Sequence, residues 1–588
     1  MATNAPSVPA SPPTVPPAPP VPNIKDGLGD IQGNVIGGFN KDHQTFLFLN
    51  FTDTVKARAW VGGIATEVAS AAEVAQFDTL FKRVNLRRGG ELGVVKATWM
   101  NLGFSFKGLE ALGVTAADLG RFPDAFRAGM AARKAIIGDV GANDPANWVG
   151  PLGKPDVHAI LIVAADSQED LGEHVLRYLH NIGVNGGVRL LYLQDGAVRE
   201  DEPGHEHFGF RDGVSQPAIR VLDEHRPGMV APSEPIQANP GQDRLHGGEF
   251  VLGYPTQIPQ DKSCPNETLA PNPDPGPISP KRGGDEDAPD WAVNGSYLVF
   301  RRLAQNVGGF RDHVAALAAA QGLSSEVMGA KLVGRYKSGA PLELTRDEEE
   351  LMKQGKLSAS FDPTTGDPSA EVAAALGLPP GFPRNDGNLS EDSRLDNHFE
   401  YGDDADGLKV PLGAHIRKTY PRDDPTPGGG ESDTQTHRIM RRGIPFGTSF
   451  RPGLGSVGHA GKPGLEEPGD RGLLFLCYQS SISRQFEFIQ RNWVHNPNFS
   501  KPGTGEDPII SQTPQGDFLL PKTGTQAAHL SIMHFVTMTG GEYFFQPAIG
   551  TLVTVLGDPP PAVAVSLPTA DDEGDDDDPN FDPCSTAE

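Results

Sequence analysis

Four short apolar runs divide the first part of the chain: Thr45–Phe51 (TFLFLNF), Thr98–Phe106 (TWMNLGFSF), Val157–Ala165 (VHAILIVAA) and Val188–Leu193 (VRLLYL). Each is too short for most buried helices and carries the aromatic and branched residues of buried strands. Helical patterns fill the gaps between them. Val55–Ala75 is amphipathic and rich in Ala, Lys107–Leu112 and Ala116–Phe126 follow with a break near Pro123, and Gln168–Gly183 precedes the fourth run. A strand–helix–strand order suits either an α+β sandwich with an antiparallel sheet or a parallel doubly wound sheet. No Gly-rich phosphate loop follows the first strand, which favors the α+β arrangement.

The second half repeats these signals less regularly. Gly248–Gly253, Ser296–Leu303 (SYLVFRRL) and Leu473–Gln479 read as strands. Asn306–Gln321, Ser324–Tyr336 and Ser481–Trp493 read as helices, and His534–Met538 with Tyr543–Phe545 closes the core. Two α+β halves of related build are expected. Pro255–Asn294, Asp362–Asp406 and Arg422–Thr436 are long polar loops, a kind that is often functional or mobile. The expected division is a Pro-rich arm (1–23), an N-terminal domain (24–200), a C-terminal domain with loop insertions (201–565) and an acidic tail (566–588).

Charge and cysteine content exclude several classes. The net charge of −26 repels nucleic acid and anionic membrane, so neither is an expected partner. Part of that charge is the block Asp571–Asp578, which reads as a solubilizing end. Cys264, Cys477 and Cys584 show no CxxC spacing, which argues against a disulfide framework or a zinc site. The start of the chain lacks the basic residues and apolar core of a signal peptide, and no apolar run approaches the ~18 residues of a membrane span. A cytoplasmic protein, a monomer or small homo-oligomer, is expected.

Three segments hold chemically active side chains. In Gly209–Pro217 (GFRDGVSQP), Gly209 and Gly213 flank Asp212. Taken alone this is a tight turn whose aspartate caps its own backbone. In Pro411–Arg422 (PLGAHIRKTYPR), His415 sits among apolar and basic residues and reads alone as a packed histidine. In His437–Gly447 (HRIMRRGIPFG), Arg438, Arg441 and Arg442 read alone as a basic patch.

Together the three supply a carboxylate, an imidazole and a guanidinium, the set that peroxide chemistry at a heme requires. They also carry a resemblance to the dye-decolorizing peroxidases, of the longer type found among fungal and some bacterial members. Asp30–Gly38 (DIQGNVIGG) is similar to the family's opening, and Phe208–Pro217 carries its GxxDG signature. Lys331–Leu344, His415–Arg422, Arg441–Gly447, Gly472–Gln479 and Phe535–Phe545 look like further family blocks in the right order.

The resemblance implies two ferredoxin-like α+β domains with antiparallel sheets and peripheral helices, the heme held mainly by the C-terminal one. It implies heme b (iron protoporphyrin IX) and a peroxidase that reduces hydrogen peroxide and oxidizes dyes, phenols or other organic reductants through compound I. Residue by residue, Asp212 is the distal acid/base, Arg441 the charge stabilizer and His415 the iron ligand; Arg438 and Arg442 are less favored than Arg441. Leu473 and Phe475, two apart on a strand, line the distal pocket. Asp507 accepts the His415 ring N–H, and Arg417 reaches a heme propionate. Gly209 and Gly213 bring the turn close to the porphyrin.

A carboxylate remains a base at lower pH than an imidazole, so activity skewed to acidic pH is expected. Large dyes imply electron transfer through Tyr or Trp at the surface. Trp60, Trp99, Trp148, Trp291 and Trp493 are candidates, and Tyr336, Tyr401 and Tyr420, which lie in polar stretches, rank first. Two alternatives stand beside this reading. One is a heme-handling protein with incidental peroxidase activity; the other is a non-enzymatic protein that recruits partners through its arm and tail.

Overall fold

The computed structural model describes residues 22–88, 96–221, 243–256, 288–337, 339, 341–345, 397, 399, 401–426, 430–450, 470–522, 524 and 526–558. Residues 1–21 of the Pro-rich arm, the acidic tail, most of the Pro255–Asn294 and Asp362–Asp406 loops, Cys264 and Cys584 lie outside these residues.

The four runs of the first half are strands: β1 (His43–Phe51), β2 (Thr98–Phe104), β3 (Ala159–Ala165) and β4 (Val188–Ala197). All pair antiparallel, with β1 between β3 and β4 and β2 on the far side of β3. A two-stranded parallel ladder, β5 (Ala218–Ile219) with β6 (Arg244–Leu245), follows the Asp212 turn. The second half supplies β7 (Ser296–Gln305), β8 (Met440–Arg441), β9 (Ile444–Phe446) and β10 (Gly472–Gln479), then β11 (Gln515–Leu520), β12 (Ala528–Met533) and β13 (Val536–Gln546). β7 lies between β10 and β13, and β8 and β9 pair with β10. β11 and β12 form a separate hairpin.

One antiparallel path joins the two halves, in the order β4-β1-β3-β2-β13-β7-β10-β8. The junction is Phe545 of β13 against Phe104 of β2. The ends of the path approach each other: a Cβ added at Gly196 of β4 would stand 2.7 Å from Ile444 of β9 and 3.2 Å from Leu474 of β10. The sheet therefore curls toward a barrel. It is covered on both faces, so β3 is buried at all seven positions. Along β1 the side-chain period of two sends Leu47, Leu49 and Phe51 to one core and Phe46 and Phe48 to the other. Two ferredoxin-like α+β halves built on antiparallel strands are thus the observed architecture.

Some boundaries differ from the sequence reading. Val55–Ala75 is two helices, Thr54–Ile64 and Ala71–Arg88. The second starts at a capping box in which Glu73 accepts from the Ser70 backbone N–H at 2.8 Å, while the Glu73 N–H donates to Ser70 Oγ at 3.2 Å. Gly248–Gly253 begins with a single helical turn, Gly247–Glu249, and is not a strand. A Cβ at Gly248 would fall 2.1 Å from the Tyr254 carbonyl oxygen, so the chain is folded back on itself there. Ser481–Trp493 is helical only from Phe486, and Ile489–Val494 is a wide π-type turn.

Glu542 of β13 is buried, and its Oε1 accepts from Met130 and Tyr543 backbone N–H groups at 2.9 and 2.8 Å. Burial pushes this carboxyl up to about 7, from an ordinary value of 4.5. The fold therefore favors the protonated acid. Its contribution to stability is fully present below pH 4.5 and is lost as pH rises through 7. Glu542→Gln is expected to raise the thermal midpoint at pH 8, by up to about 3 kcal/mol of stability, and to change it little at pH 4. Equal shifts at both pH values would contradict this assignment.

No helix among the described residues is long and apolar enough to cross a membrane.

Candidate active site

The Asp212 turn is held from both sides. Glu206 accepts from the Phe208 and Phe210 backbone N–H groups at 2.9 and 2.8 Å, and Gly209 passes through with a φ of +97°. Phe208 and Phe210 are buried against Phe310, the first stacked at a centroid distance of 4.1 Å. Asp212 then donates its backbone N–H to Gly204 O at 3.0 Å. Its Oδ1 accepts from the Gly213 N–H at 2.7 Å and from Arg441 Nη1 at 2.9 Å. The capping turn read from the sequence is therefore present, and the same oxygen also carries an ion pair. Oδ2 has no donor among the described residues. It faces Gly443, where an added Cβ would stand 3.4 Å away.

Arg441 is fixed through its backbone as well as its side chain. β8 seats it opposite Cys477 of β10. Gln216, four residues beyond Asp212, accepts from the Arg441 N–H at 3.1 Å and donates to its carbonyl at 3.0 Å. Arg441 Nη2 donates to Ser215 O at 3.0 Å. GFRDGVSQP thus supplies both the carboxylate and the clamp that orients its partner. Arg442 is turned away: Nε donates to Asn34 O at 2.9 Å, Nη2 to Ile36 O, and burial lowers its pKa to about 10.

His415 opens a five-residue helix, His415–Thr419, and its Nδ1 lies 2.8 Å from Asp507 Oδ2. Asp507 is fully buried, and its other oxygen accepts from the Ile509 and Ile510 N–H groups, both at 2.8 Å. Burial alone would raise this carboxyl. The His415 ring and the two N–H groups outweigh it and hold Asp507 below the ordinary carboxylate range. His415 Nδ1 is thereby committed, and Nε2 has no hydrogen-bond partner among the described residues.

These groups line one cavity, which encloses about 1750 Å³ counting its open mouth. Asp212, Gly213, Arg441, His415, Leu473 and Phe475 all border it. Asp507 stands behind His415.

Several expectations need correction. Gly209 does not border the cavity; a Cβ there would meet the Lys337 side chain at 3.5 Å, so this glycine serves the turn. Arg417 does not border the cavity. Two residues past His415, it points about 200° around the helix. It is buried in a cage of Asp404, Asp424 and the Val410 and Tyr401 carbonyls. Tyr336, Tyr401 and Tyr420 are not surface groups, at 2%, 0% and 7% exposed. Tyr336 packs in an apolar cluster with Phe399 and Val410, and arginines cover the rings of Tyr401 and Tyr420. Charged neighbors thus cover Tyr401 and Tyr420, and apolar ones cover Tyr336.

The cavity fits a heme. An imidazole with one nitrogen committed to a buried carboxylate presents the other as a ligand. Arg422 and Arg438 also border it, and Arg422 Nη1 and Arg438 Nε are buried without a hydrogen-bond acceptor among the described residues. Such donors suit the carboxylates of a bound heme. Gln216, Arg422 and, as a cavity-lining cation, Arg438 were not singled out by sequence, since nothing in their local pattern separates a clamp or an anion-binding arginine from a surface residue.

Comparison with known proteins points the same way. Residues 30–200 match the family model for the DyP dimeric alpha+beta barrel domain, and residues 387–501 match that for the C-terminal region of Dyp-type peroxidases. The chain is 31% identical to the dye-decolorizing peroxidase AauDyP1 of Auricularia auricula-judae, over 89% of this chain and 86% of that one. The structure of an ancestral D-type dye-decolorizing peroxidase superimposes with a TM-score of 0.68 at 30% identity, covering 90% of this chain and 99% of the other. A dye-decolorizing peroxidase in complex with 2,6-dimethoxyphenol gives a TM-score of 0.65 at 27% identity, with coverages of 90% and 99%. The chain belongs to the dye-decolorizing peroxidase family of heme peroxidases.

Proposed function

We propose that this enzyme reduces hydrogen peroxide at a heme b bound in the cavity and oxidizes phenols and dyes with the equivalents gained. The observation that carries the reading is the convergence of two pairs, Asp212–Arg441 and His415–Asp507, on one cavity.

When bound, the heme supplies the iron at which the peroxide O–O bond is cleaved. His415 Nε2 would be its ligand, and the ionized Asp507 keeps the ring oriented and electron-rich. Asp212 takes a proton from the peroxide and returns it to the oxygen that leaves as water. Because Oδ1 is occupied by Gly213 and Arg441, Oδ2 is the oxygen that carries this proton. Gly443 leaves that oxygen open to the cavity. Arg441 holds the carboxylate in place and offsets the negative charge that develops as the bond breaks. Leu473 and Phe475 give the wall an apolar surface that limits water around the reacting atoms. Arg422 and Arg438 would hold its carboxylates.

The test is spectroscopic and then kinetic. The chain expressed with adequate heme should show a Soret band and oxidize 2,6-dimethoxyphenol only when peroxide is present. A heme-bound protein without peroxide-dependent turnover would point to heme handling, and no Soret band at all would sink the reading.

A further inference from the structure

Lys418 sits on the short helix that His415 opens, three residues on, and it is fully buried. It does not border the cavity. Its Nζ donates to the Asn496 and Phe499 carbonyls at 2.7 and 2.6 Å and stands 5.6 Å from the Phe499 ring centroid. Trp493, Val494 and Phe499 make this neighborhood apolar. The turn that receives Lys418 is tied to the segment that carries Asp507. Gly505 N–H donates to Pro497 O at 2.9 Å, and Asp507 N–H donates to Val494 O at 3.0 Å. One helix thus sends two side chains to this layer: His415 to the Asp507 carboxylate, and Lys418 to the backbone beside it.

An ammonium removed from water is costly, and two carbonyl dipoles offset only part of that cost. Burial lowers the Lys418 pKa to about 7, against the opposing charges of Asp507 and, more weakly, Glu506. Lys418 therefore carries its charge throughout the acidic range. His534 and His495 are the other titratable groups beside Asp507 among the described residues. His534 Nε2 lies 3.1 Å from the Asp507 carbonyl oxygen, and burial lowers His495 to about 4. The carboxylate that accepts the His415 Nδ1–H draws on that proton and leaves the ring electron-rich. A positive charge in a dry site nearby weakens this pull.

Resting on the peroxidase reading above, we propose that Lys418 is a positioning residue that acts through Asp507 to limit how electron-rich the His415 ring becomes. An electron-rich ligand favors the ferric over the ferrous ion, so the Lys418 charge raises the reduction potential of a heme bound to His415.

The experiment uses heme-loaded full-length protein at about pH 5, where Lys418 is charged, and at about pH 9, where it is not. The readouts are the ferric/ferrous potential by spectroelectrochemistry and the iron–histidine stretch of the ferrous protein by resonance Raman. Lys418→Met removes the charge. In the acidic sample it should show a lower potential and a higher stretching frequency than wild type, and in the alkaline sample the two proteins should converge. Lys418→Arg, charged in both, should have the higher potential of the two in an alkaline comparison with wild type. A wild-type potential for Lys418→Met in the acidic sample overturns the proposal. So does a lowered potential that persists undiminished in the alkaline sample, the mark of a packing defect. Should Lys418→Met fail to bind heme, Lys418→Arg decides, and an alkaline potential equal to that of wild type overturns the proposal instead. A wild-type protein without a Soret band refutes the peroxidase reading itself, a distinct outcome from heme-loaded proteins of equal potential.

Discussion

Asp212→Asn is expected to slow the reaction with peroxide by roughly 10²–10⁴-fold, the range that a positioned acid/base contributes. The change is nearly isosteric. The Asn amide oxygen can still accept from the Gly213 N–H and from Arg441, the two donors that fix Oδ1. What is lost is the second oxygen, replaced by an NH₂ that cannot take a proton. The Phe208–Phe210 anchor and the Gln216 clamp do not involve this carboxylate, so the turn and the heme should be retained. Stopped-flow absorbance of heme-loaded wild type and variant measures the rates. A loss smaller than about tenfold would place the proton transfer elsewhere.

His415→Ala is expected to weaken heme binding by more than the roughly 10–100-fold that accompanies loss of an outer partner. The substitution removes the ring that presents Nε2 and leaves Asp507 buried with one oxygen unpaired. The cavity wall is otherwise intact, so added imidazole should occupy the vacated space and restore a Soret band. Asp507→Asn gives the contrast: the ligand remains but loses the carboxylate that orients it, and heme should be retained with altered ligation. Heme titration by absorbance separates the two, and wild-type affinity in His415→Ala would remove this histidine from the role.

The strands were legible because their period of two is written in apolar and polar identities, and β1 shows it by feeding two cores with alternate residues. The joining of both halves into one path through Phe104 and Phe545 was not legible, since pairing between distant strands leaves no local trace. The break at Ser70 was written in the sequence as Ser-x-x-Glu but was hidden by the alanines around it. Within the site, groups that do chemistry could be read, because a carboxylate, an imidazole and a guanidinium have few substitutes. Residues that hold those groups could not. Glu206 and Gln216 act mainly on backbone, and their identities do not reveal which backbone they meet. Arg417 was misplaced for a geometric reason: proximity to His415 in sequence became distance around a helix. Tyr401 and Tyr420 were misread because arginines folded over them, and Tyr336 because an apolar cluster closed around it.

The most direct test of a carboxylate as the working base is the pH dependence of the reaction between heme-loaded wild type and peroxide. Free aspartate and histidine side chains titrate near about 3.9 and 6.5. With Asp212 as the base, the rate should remain high well into the acidic range, below the point at which a histidine base would be protonated. A profile that peaks above about pH 8, far past the aspartate reference, would contradict a carboxylate in this role.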